Sequence, residues 1–131
     1  INVVLDVEKD IFAYADEFYI EQVVTNYFTN AIKHCDNVNG KKQIIVKIEH
    51  IKEKNKIRFS VFNTGENIGE EDLNRIWGRF YKVDSSRNRE NGGSGIGLAL
   101  VKAIMVNYQN DYGVINKDDG VEFYFELDEV K

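Results

Sequence analysis

The sequence predicts a two-layer α/β sandwich, with half-buried strands in one layer and helices in the other. Several segments alternate apolar and polar residues with a period of two, and three others have the composition or apolar spacing of helices. A sheet with one apolar face has to bury that face against helices. The chain of 131 residues has no repeat, low-complexity segment or internal linker, so we expect a single domain over residues 1–131.

The first half of the chain predicts strands around one long helix. Residues 1–16 are expected to form two short strands separated by a charged turn, and Asp16 is placed to cap the following helix. Two further strands, 43–51 and 56–63, are joined through the polar turn 52–55. In the helix, apolar residues at helical spacing define one stripe: Ile20, Val23, Val24, Tyr27, Phe28, Ala31 and Ile32.

The second half predicts two more helices and a hairpin. A short helix is expected over 70–78, followed by a charged surface loop over 81–91. Residues 96–106 are apolar on nearly every side, which is typical of a buried helix. The chain ends in a hairpin with Asp119-Gly120 as its turn signal and with alternating apolar residues Val121, Phe123, Phe125 and Leu127.

Composition and charge exclude several classes of function. A net charge of -5 leaves no basic field for a nucleic-acid backbone, so no nucleic-acid partner is expected. Cys35 is the single cysteine, which excludes an internal disulfide, and His34 and His50 do not complete a zinc ligand set. No apolar run approaches the roughly 20 residues of a membrane helix, so no membrane contact is expected from this segment. Because Ile1 already lies in a predicted strand, we expect a fragment of a longer protein.

The long helix carries the first group of polar side chains with a chemical use. At about 100° per residue, Asn26, Asn30 and Lys33 fall on one flank of the helix. A carboxamide oxygen is a suitable ligand for Mg²⁺, and a lysine neutralises phosphate charge. A solvated helix face is the alternative interpretation of the same three residues.

Asn63 is the polar last member of an otherwise apolar row of side chains on one face of a predicted strand. Side chains alternate along a strand, so Ile57, Phe59, Val61 and Asn63 share one face. A buried carboxamide without a partner costs about 1 to 3 kcal/mol, so Asn63 should have a hydrogen-bond partner in the protein, in water or in a ligand.

A run of glycines leads directly into the last predicted helix. Gly93, Gly95 and Gly97 precede it, and a helix start presents free N–H groups to an anion. The spacing fits neither a dinucleotide-binding fingerprint nor a P-loop. We therefore expect phosphate binding at this helix start, with a purely structural glycine turn as the alternative.

Four blocks stand in a fixed order along the chain. They are EQVVTNYFTNAIKH from Glu21, VFNTGENI from Val61, RIWGRFYKVD from Arg75 and GGSGIGLALV from Gly92. Together they resemble the N, G1, F and G2 boxes of the ATP-binding domain of two-component sensor histidine kinases. The resemblance spans most of the chain. It implies the Bergerat fold, in which a mixed, mainly antiparallel sheet packs on three helices, and it implies ATP and Mg²⁺ as cofactors.

The resemblance also implies roles for individual residues. Asn30 would hold Mg²⁺, Lys33 would contact phosphate, and Asn26 would help to order metal and water. Asn63 stands where the family usually has an aspartate that accepts from the adenine amine, and Asn67 stands where it usually has a second glycine. An asparagine accepts the same bond without the charge, and we expect Asn67 to tolerate a left-handed backbone. The other residues expected to line the nucleotide site are His34, Gly65, Ile68, Gly93, Gly95, Ile96, Gly97 and Leu98.

A lid is expected between the F and G2 boxes, at about residues 81–93. Phe80 and Tyr81 would anchor its base. Its cations Lys82, Arg87 and Arg89 would meet the γ-phosphate when the lid closes. Arginine is common in the family at the position of Lys82, and lysine gives a point charge without the bidentate fork.

The resemblance implies a catalytic domain that works with other parts of a parent kinase. No H-E-x-x-T/S-P block is present, so the γ-phosphoryl group would pass to a histidine on the parent's phosphoacceptor and dimerisation domain, and from there to a response regulator. The domain would be cytoplasmic, with the parent anchored in the bacterial membrane. A hydrolytic or serine-kinase relative of the same fold is one alternative. A regulatory module that does not bind nucleotide is another.

Overall fold

The computed structural model describes residues 1–78 and 97–130. These ranges form one five-stranded sheet whose inner face is covered by two helices. The elements in chain order are β1 (Asn2–Val7), α1 (Glu17–His34), β2 (Gln43–Ile51), a 3-10 turn (Lys52–Lys54), β3 (Lys56–Thr64), α2 (Gly97–Tyr108), β4 (Tyr112–Lys117) and β5 (Gly120–Asp128).

The sheet is mixed and mainly antiparallel, as predicted. Its strand order is β1-β2-β3-β5-β4, and β1 pairs with β2 in parallel while the other pairs are antiparallel. Asn63 of β3 pairs with Ile44 on one side and with Val121 on the other. Asn63 therefore lies in the central strand, near the end where β3 leaves the sheet.

The predicted stripe of α1 supplies one half of the core. Val23, Tyr27 and Ala31 are buried against the inner face of the sheet. The ring of Tyr27 lies 5.4 Å from that of Phe123, and its hydroxyl donates to the carbonyl of Tyr124 at 2.9 Å. This hydrogen bond satisfies a buried hydroxyl and ties α1 to β5.

The start of α1 is capped as predicted. Asp16 is the N-cap, and its Oδ1 accepts from the amide of Phe18 at 2.9 Å. The backbone amide of Asp16 donates to the hydroxyl of Tyr108 at 2.7 Å. Tyr108 is the last residue of α2, so this bond joins the start of α1 to the end of α2.

Two predicted elements are less regular than expected. The second of the two early strands is reduced to an isolated bridge between Ala13 and Glu129. Residues 70–78 form consecutive turns instead of a helix: the amide of Ile76 reaches back four residues to Asp72, whereas that of Arg75 reaches back only three. A segment this short does not offset the cost of helix nucleation, and the packing of Trp77 on Tyr112 holds it in place instead.

The helix α2 is buried on one side only, contrary to the prediction for residues 96–106. Val101, Ile104 and Met105 are buried, while Leu100 and Val106 are 40% and 57% exposed. The helix lies in the outer layer of the sandwich, and no element within residues 1–78 and 97–130 covers its second face. Among the described helices, none is long and apolar enough to cross a membrane.

The final hairpin turns one residue earlier than its sequence signal. Lys117 pairs with Gly120, so Asp118-Asp119 form the two-residue turn and Gly120 is the first residue of β5. A Cβ on Gly120 would lie 1.9 Å from the carbonyl oxygen of Asn63. Glycine is required here by the close approach of β3.

Candidate functional site

Thr64 joins the ends of three elements. Its hydroxyl donates to the carbonyl of Asp36 at 2.7 Å and accepts from the amide of Gln43 at 2.9 Å. The amide of Asp36 returns a bond to the Thr64 carbonyl at 2.8 Å. These bonds hold the C-terminal end of α1 beside the end of β3. The last turn of α1 and the residues that follow Asn63 are thus brought together.

Gly65 allows the closest approach between these two segments. Its φ is +150°, and a Cβ at this position would lie 2.7 Å from the carbonyl oxygen of His34. The amide of Gly65 also donates to the carbonyl of Asp119 at 3.1 Å. A side chain here would push the loop away from α1, which explains the glycine of the G1 box in this chain.

Asn63 is buried, with 2% of its surface exposed. Its Nδ2 donates to the carbonyl of Thr64 at 3.0 Å, which provides the partner that its position demands. No described residue donates a hydrogen bond to its Oδ1. The NH₂ group of the amide is therefore used to fix the side chain, and its oxygen is an acceptor without a donor in this part of the chain.

Asn26 lies against the first residue of α2. Its Nδ2 donates to the carbonyl of Gln22 at 2.8 Å, and a Cβ on Gly97 would lie 2.8 Å from its Oδ1. The amino end of α2 is thus packed directly on the polar flank of α1. The first N–H groups of a helix have no partner within that helix, and here they lie next to a helix face that carries amides and a lysine.

Asn30 and Lys33 follow Asn26 on the same flank. Asn30 is half-buried and Lys33 is exposed. Within residues 1–78 and 97–130, neither side chain has a hydrogen-bond or ion-pair partner. An uncommitted amide oxygen and an uncommitted ammonium group are the donor set that the predicted metal and phosphate roles require.

Asn67 is tied to the final hairpin through its side chain. Its φ is not positive, so the expected tolerance of a left-handed backbone is not used here. Its side chain instead donates to the carbonyls of Lys117 and Gly120, at 2.9 and 2.8 Å. The neighbouring Ile68 is half-buried and packs against the core, as does Leu98 in α2.

His34 ends α1 next to Gly65. The side chain is exposed, but the adjacent protein surface desolvates the imidazole enough to lower its pKa below the ordinary value of 6.5. The charge of Lys33 lowers the pKa further. His34 is thus held neutral near neutral pH, with one ring nitrogen able to accept a hydrogen bond.

Several predicted site residues lie outside the described ranges. They include the anchor and cations of the expected lid and part of the glycine segment: Phe80, Tyr81, Lys82, Arg87, Arg89, Gly93, Gly95 and Ile96. Their roles stay predictions.

The structure adds two residues that were not singled out from the sequence. Thr64 organises the end of β3, and Asn116 hydrogen-bonds the backbone of Ile68 through both halves of its amide. Thr64 is part of the G1 block, where a hydroxyl next to Asn63 was a usable signal. Asn116 carried no local signal, since its partner lies 48 residues away.

Known proteins resemble this chain over nearly its whole length. Residues 15–131 match the family described as histidine kinase-, DNA gyrase B-, and HSP90-like ATPase. The phosphate regulon sensor protein PhoR of Haemophilus influenzae is 32% identical over 108 residues, which cover 82% of this chain and 24% of PhoR. The chain therefore spans about a quarter of the length of this curated relative.

Solved structures give the same result. Full-length ShkA in complex with AMPPNP has a TM-score of 0.81 and 25% identity, over 99% of this chain and 26% of ShkA. The catalytic domain of the histidine kinase ThkA has a TM-score of 0.80 and 27% identity, over 98% of this chain and 78% of that domain. ThkA has also been solved in complex with the response regulator protein TrrA.

The four boxes, the mixed five-stranded sheet and these likenesses agree with one another. The chain belongs to the family of histidine kinase-, DNA gyrase B- and HSP90-like ATPases, within which it is the catalytic ATP-binding domain of a two-component sensor histidine kinase.

Proposed function

We propose that this domain binds Mg-ATP and donates the γ-phosphoryl group to a histidine on the dimerisation domain of its parent kinase. The observation that carries the proposal is the Oδ1 of Asn63, which has no donor among the described residues and lies on a side chain that is 2% exposed and fixed by its own Nδ2. An acceptor without a described donor, on a residue that is otherwise buried, favours a ligand that brings a donor. The exocyclic amine of adenine is such a donor.

The polar flank of α1 would bind the phosphate end of the nucleotide. Asn30 would hold Mg²⁺ through its amide oxygen, and Lys33 would neutralise phosphate charge. Mg²⁺ supplies charge neutralisation for phosphoryl transfer. The amino end of α2, packed on Asn26, adds backbone N–H groups to the same anionic ligand.

The residue at position 26 favours transfer over hydrolysis. In hydrolytic relatives of the fold, a glutamate at this position activates water, whereas Asn26 is neutral and its Nδ2 is bonded to Gln22. A neutral amide is not a general base. Positioning and charge neutralisation are sufficient for transfer to an imidazole nitrogen.

The proposal places the domain in a two-component pathway. Its partners are the phosphoacceptor and dimerisation domain of the parent and a cognate response regulator, the class of partner with which the similar kinase ThkA was solved. The parent is proposed to be membrane-anchored, with this domain on the cytoplasmic side.

Calorimetric titration with ADP and ATP, with and without Mg²⁺, tests nucleotide binding. Asn30→Ala should remove most of the Mg²⁺-dependent part of the affinity and leave the Mg²⁺-free part. Thr29→Ala, at an exposed position of the same helix, is the matched control and should change neither. If the unmodified chain binds no nucleotide, the regulatory-module alternative is favoured. If Asn30→Ala retains full Mg²⁺ dependence, the metal assignment is wrong.

A further inference from the structure

Two asparagine side chains fasten the loop after β3 to the final hairpin. The loop comprises residues 65–68, and the hairpin segment comprises residues 116–120. Asn67 Nδ2 donates to the carbonyls of Lys117 and Gly120, which flank the two-residue turn, at 2.9 and 2.8 Å. Asn116 Oδ1 accepts from the amide of Ile68 at 3.0 Å, and its Nδ2 donates to the carbonyl of Ile68 at 2.8 Å.

The arrangement is reciprocal. Asn67 reaches from the loop to the hairpin, and Asn116 reaches from the hairpin to the loop. We call this set of four hydrogen bonds the amide clasp. The side chain of Asn116 pairs with both the N–H and the carbonyl of Ile68, as the backbone of a neighbouring strand would. The loop is thus held by ladder-like hydrogen bonds at a place where none of the five described strands pairs with it.

The clasp acts on a segment that is continuous with the candidate adenine acceptor. Asn63 and Thr64 end β3, and Gly65 starts the loop with its own bond to Asp119. If residues 66–68 left the hairpin, the only remaining described bond between loop and hairpin would be that of Gly65. The wall of the site next to Asn63 would then sample open conformations.

We propose that Asn67 and Asn116 are positioning residues that hold this wall of the nucleotide site in its binding-competent form. The inference rests on the proposed nucleotide-binding function. A loop already held in place avoids the ordering cost of binding, and an apparent Kd rises in proportion to the fraction of protein whose loop is released. Asn67 thus has a use that a glycine at this position cannot provide.

The first measurement is ADP affinity by calorimetry for Asn116→Ala, Asn67→Gly and the double variant. Asn116→Ala should raise the Kd for ADP about ten-fold, and Asn67→Gly several-fold. The double variant should be little weaker than Asn116→Ala alone, because a loop that is already released loses nothing further. Tyr27→Phe is the matched control, since it removes one hydrogen bond between α1 and β5 and should leave the Kd unchanged.

The second measurement is amide hydrogen exchange at Ile68 in the absence of nucleotide. Both single variants should exchange this amide faster, while Tyr27→Phe should not. In transfer assays with the parent's phosphoacceptor domain, the KM for ATP should rise by the same factor with kcat unchanged. A general loss of structure would lower both affinity and kcat, and thermal melts of each variant detect it directly.

The outcomes separate this inference from the proposed function. If the unmodified chain fails to bind ADP, the proposed function fails, and the inference fails with it. If the unmodified chain binds ADP and both single variants, folded as shown by their melts, keep its Kd, the positioning role is wrong while the proposed function stands. If the losses of ADP affinity in the two single variants add up in the double variant, the two asparagines do not act as a single unit, and that part of the inference is wrong.

Discussion

At the scale of single residues, Asn63 shows why an asparagine suits this site. Its Nδ2 donates to Thr64 while its Oδ1 stays available. An aspartate, which the family usually has at this position, offers only acceptors. In this chain a carboxylate would face the carbonyl of Thr64 without a proton to share, so the surroundings of Asn63 are adapted to the amide.

This adaptation leads to a prediction for Asn63→Asp. The substitution should lower the free energy of unfolding by about 1 to 2 kcal/mol, because a buried hydrogen bond is lost and a charge is buried. Urea denaturation measures the change, with Asn37→Asp at an exposed position as the control for added charge. Equal stability of Asn63→Asp and the unmodified chain would show that the bond to Thr64 contributes nothing.

The lowered pKa of His34 gives stability a dependence on pH. Below the ordinary pKa of 6.5, the unfolded chain binds a proton at this residue more readily than the folded chain does. The contribution of His34 to stability is therefore present above pH 6.5 and is lost as the pH falls through the folded pKa. Denaturation of His34→Gln between pH 5 and pH 8 should show a smaller loss on the acid side than the unmodified chain shows.

A second variant tests the cause of that shift. Lys33→Gln removes the neighbouring positive charge, so the acid-side loss should shrink but persist, since partial desolvation is the larger cause. The unmodified chain, His34→Gln and Lys33→Gln all contain His50, so differences between their pH profiles do not come from that residue. Parallel pH profiles for His34→Gln and the unmodified chain would contradict the assignment.

At the scale of elements, the contact between α1 and α2 depends on the absence of one methyl group. A Cβ on Gly97 would lie 2.8 Å from Asn26 Oδ1, closer than such atoms pack. The amino end of α2 and the polar flank of α1 therefore act as one surface. Alanine normally stabilises a helix relative to glycine by up to about 1 kcal/mol. A loss of stability on replacing Gly97 by alanine would therefore be due to the contact with Asn26.

Gly97→Ala should therefore destabilise the chain and weaken ATP binding. In the Asn26→Ala background, where the obstructing oxygen is gone, the same substitution should stabilise the chain. Gly69→Ala is the matched control, because its Cβ would meet only the movable end of the Glu71 side chain. Thermal melts compare the unmodified chain, the two single variants and the double variant. If Gly97→Ala changes the stability in the same direction with Asn26 present and with Asn26→Ala, the contact is not the cause of the change.

At the scale of the whole molecule, the proposed function separates nucleotide binding in this chain from the phosphoacceptor histidine, since the sequence contains no H-E-x-x-T/S-P block. On the proposed role of Asn26, which as a neutral amide is not a general base, the chain alone should bind ATP and hydrolyse it very slowly. With the parent's phosphoacceptor domain added, radiolabel from γ-labelled ATP should appear on that domain. Robust phosphate release by the chain alone would favour the ATPase alternative, and ATP binding without acceptor labelling would favour a regulatory module.

The sequence alone determined the long helix α1 with its cap at Asp16, the strands β2, β3 and β5, and the family. These features follow from local signals, namely periodicity, a capping residue and short blocks in a fixed order. The row of side chains that ends in Asn63 was also readable, because strand alternation places its members on one face.

Only the tertiary structure decided how these elements meet. The carboxylate of Glu126 is 1% exposed although alternation places it on the outer face, because Arg58 donates to it at 2.6 Å and Lys54 at 2.7 Å, and both partners are distant in the chain. The hydrogen bonds of Asn67 could not be predicted for the same reason, since its partners lie at positions 117 and 120. A local pattern specifies what a residue prefers, whereas contacts between distant segments decide which of those preferences is used.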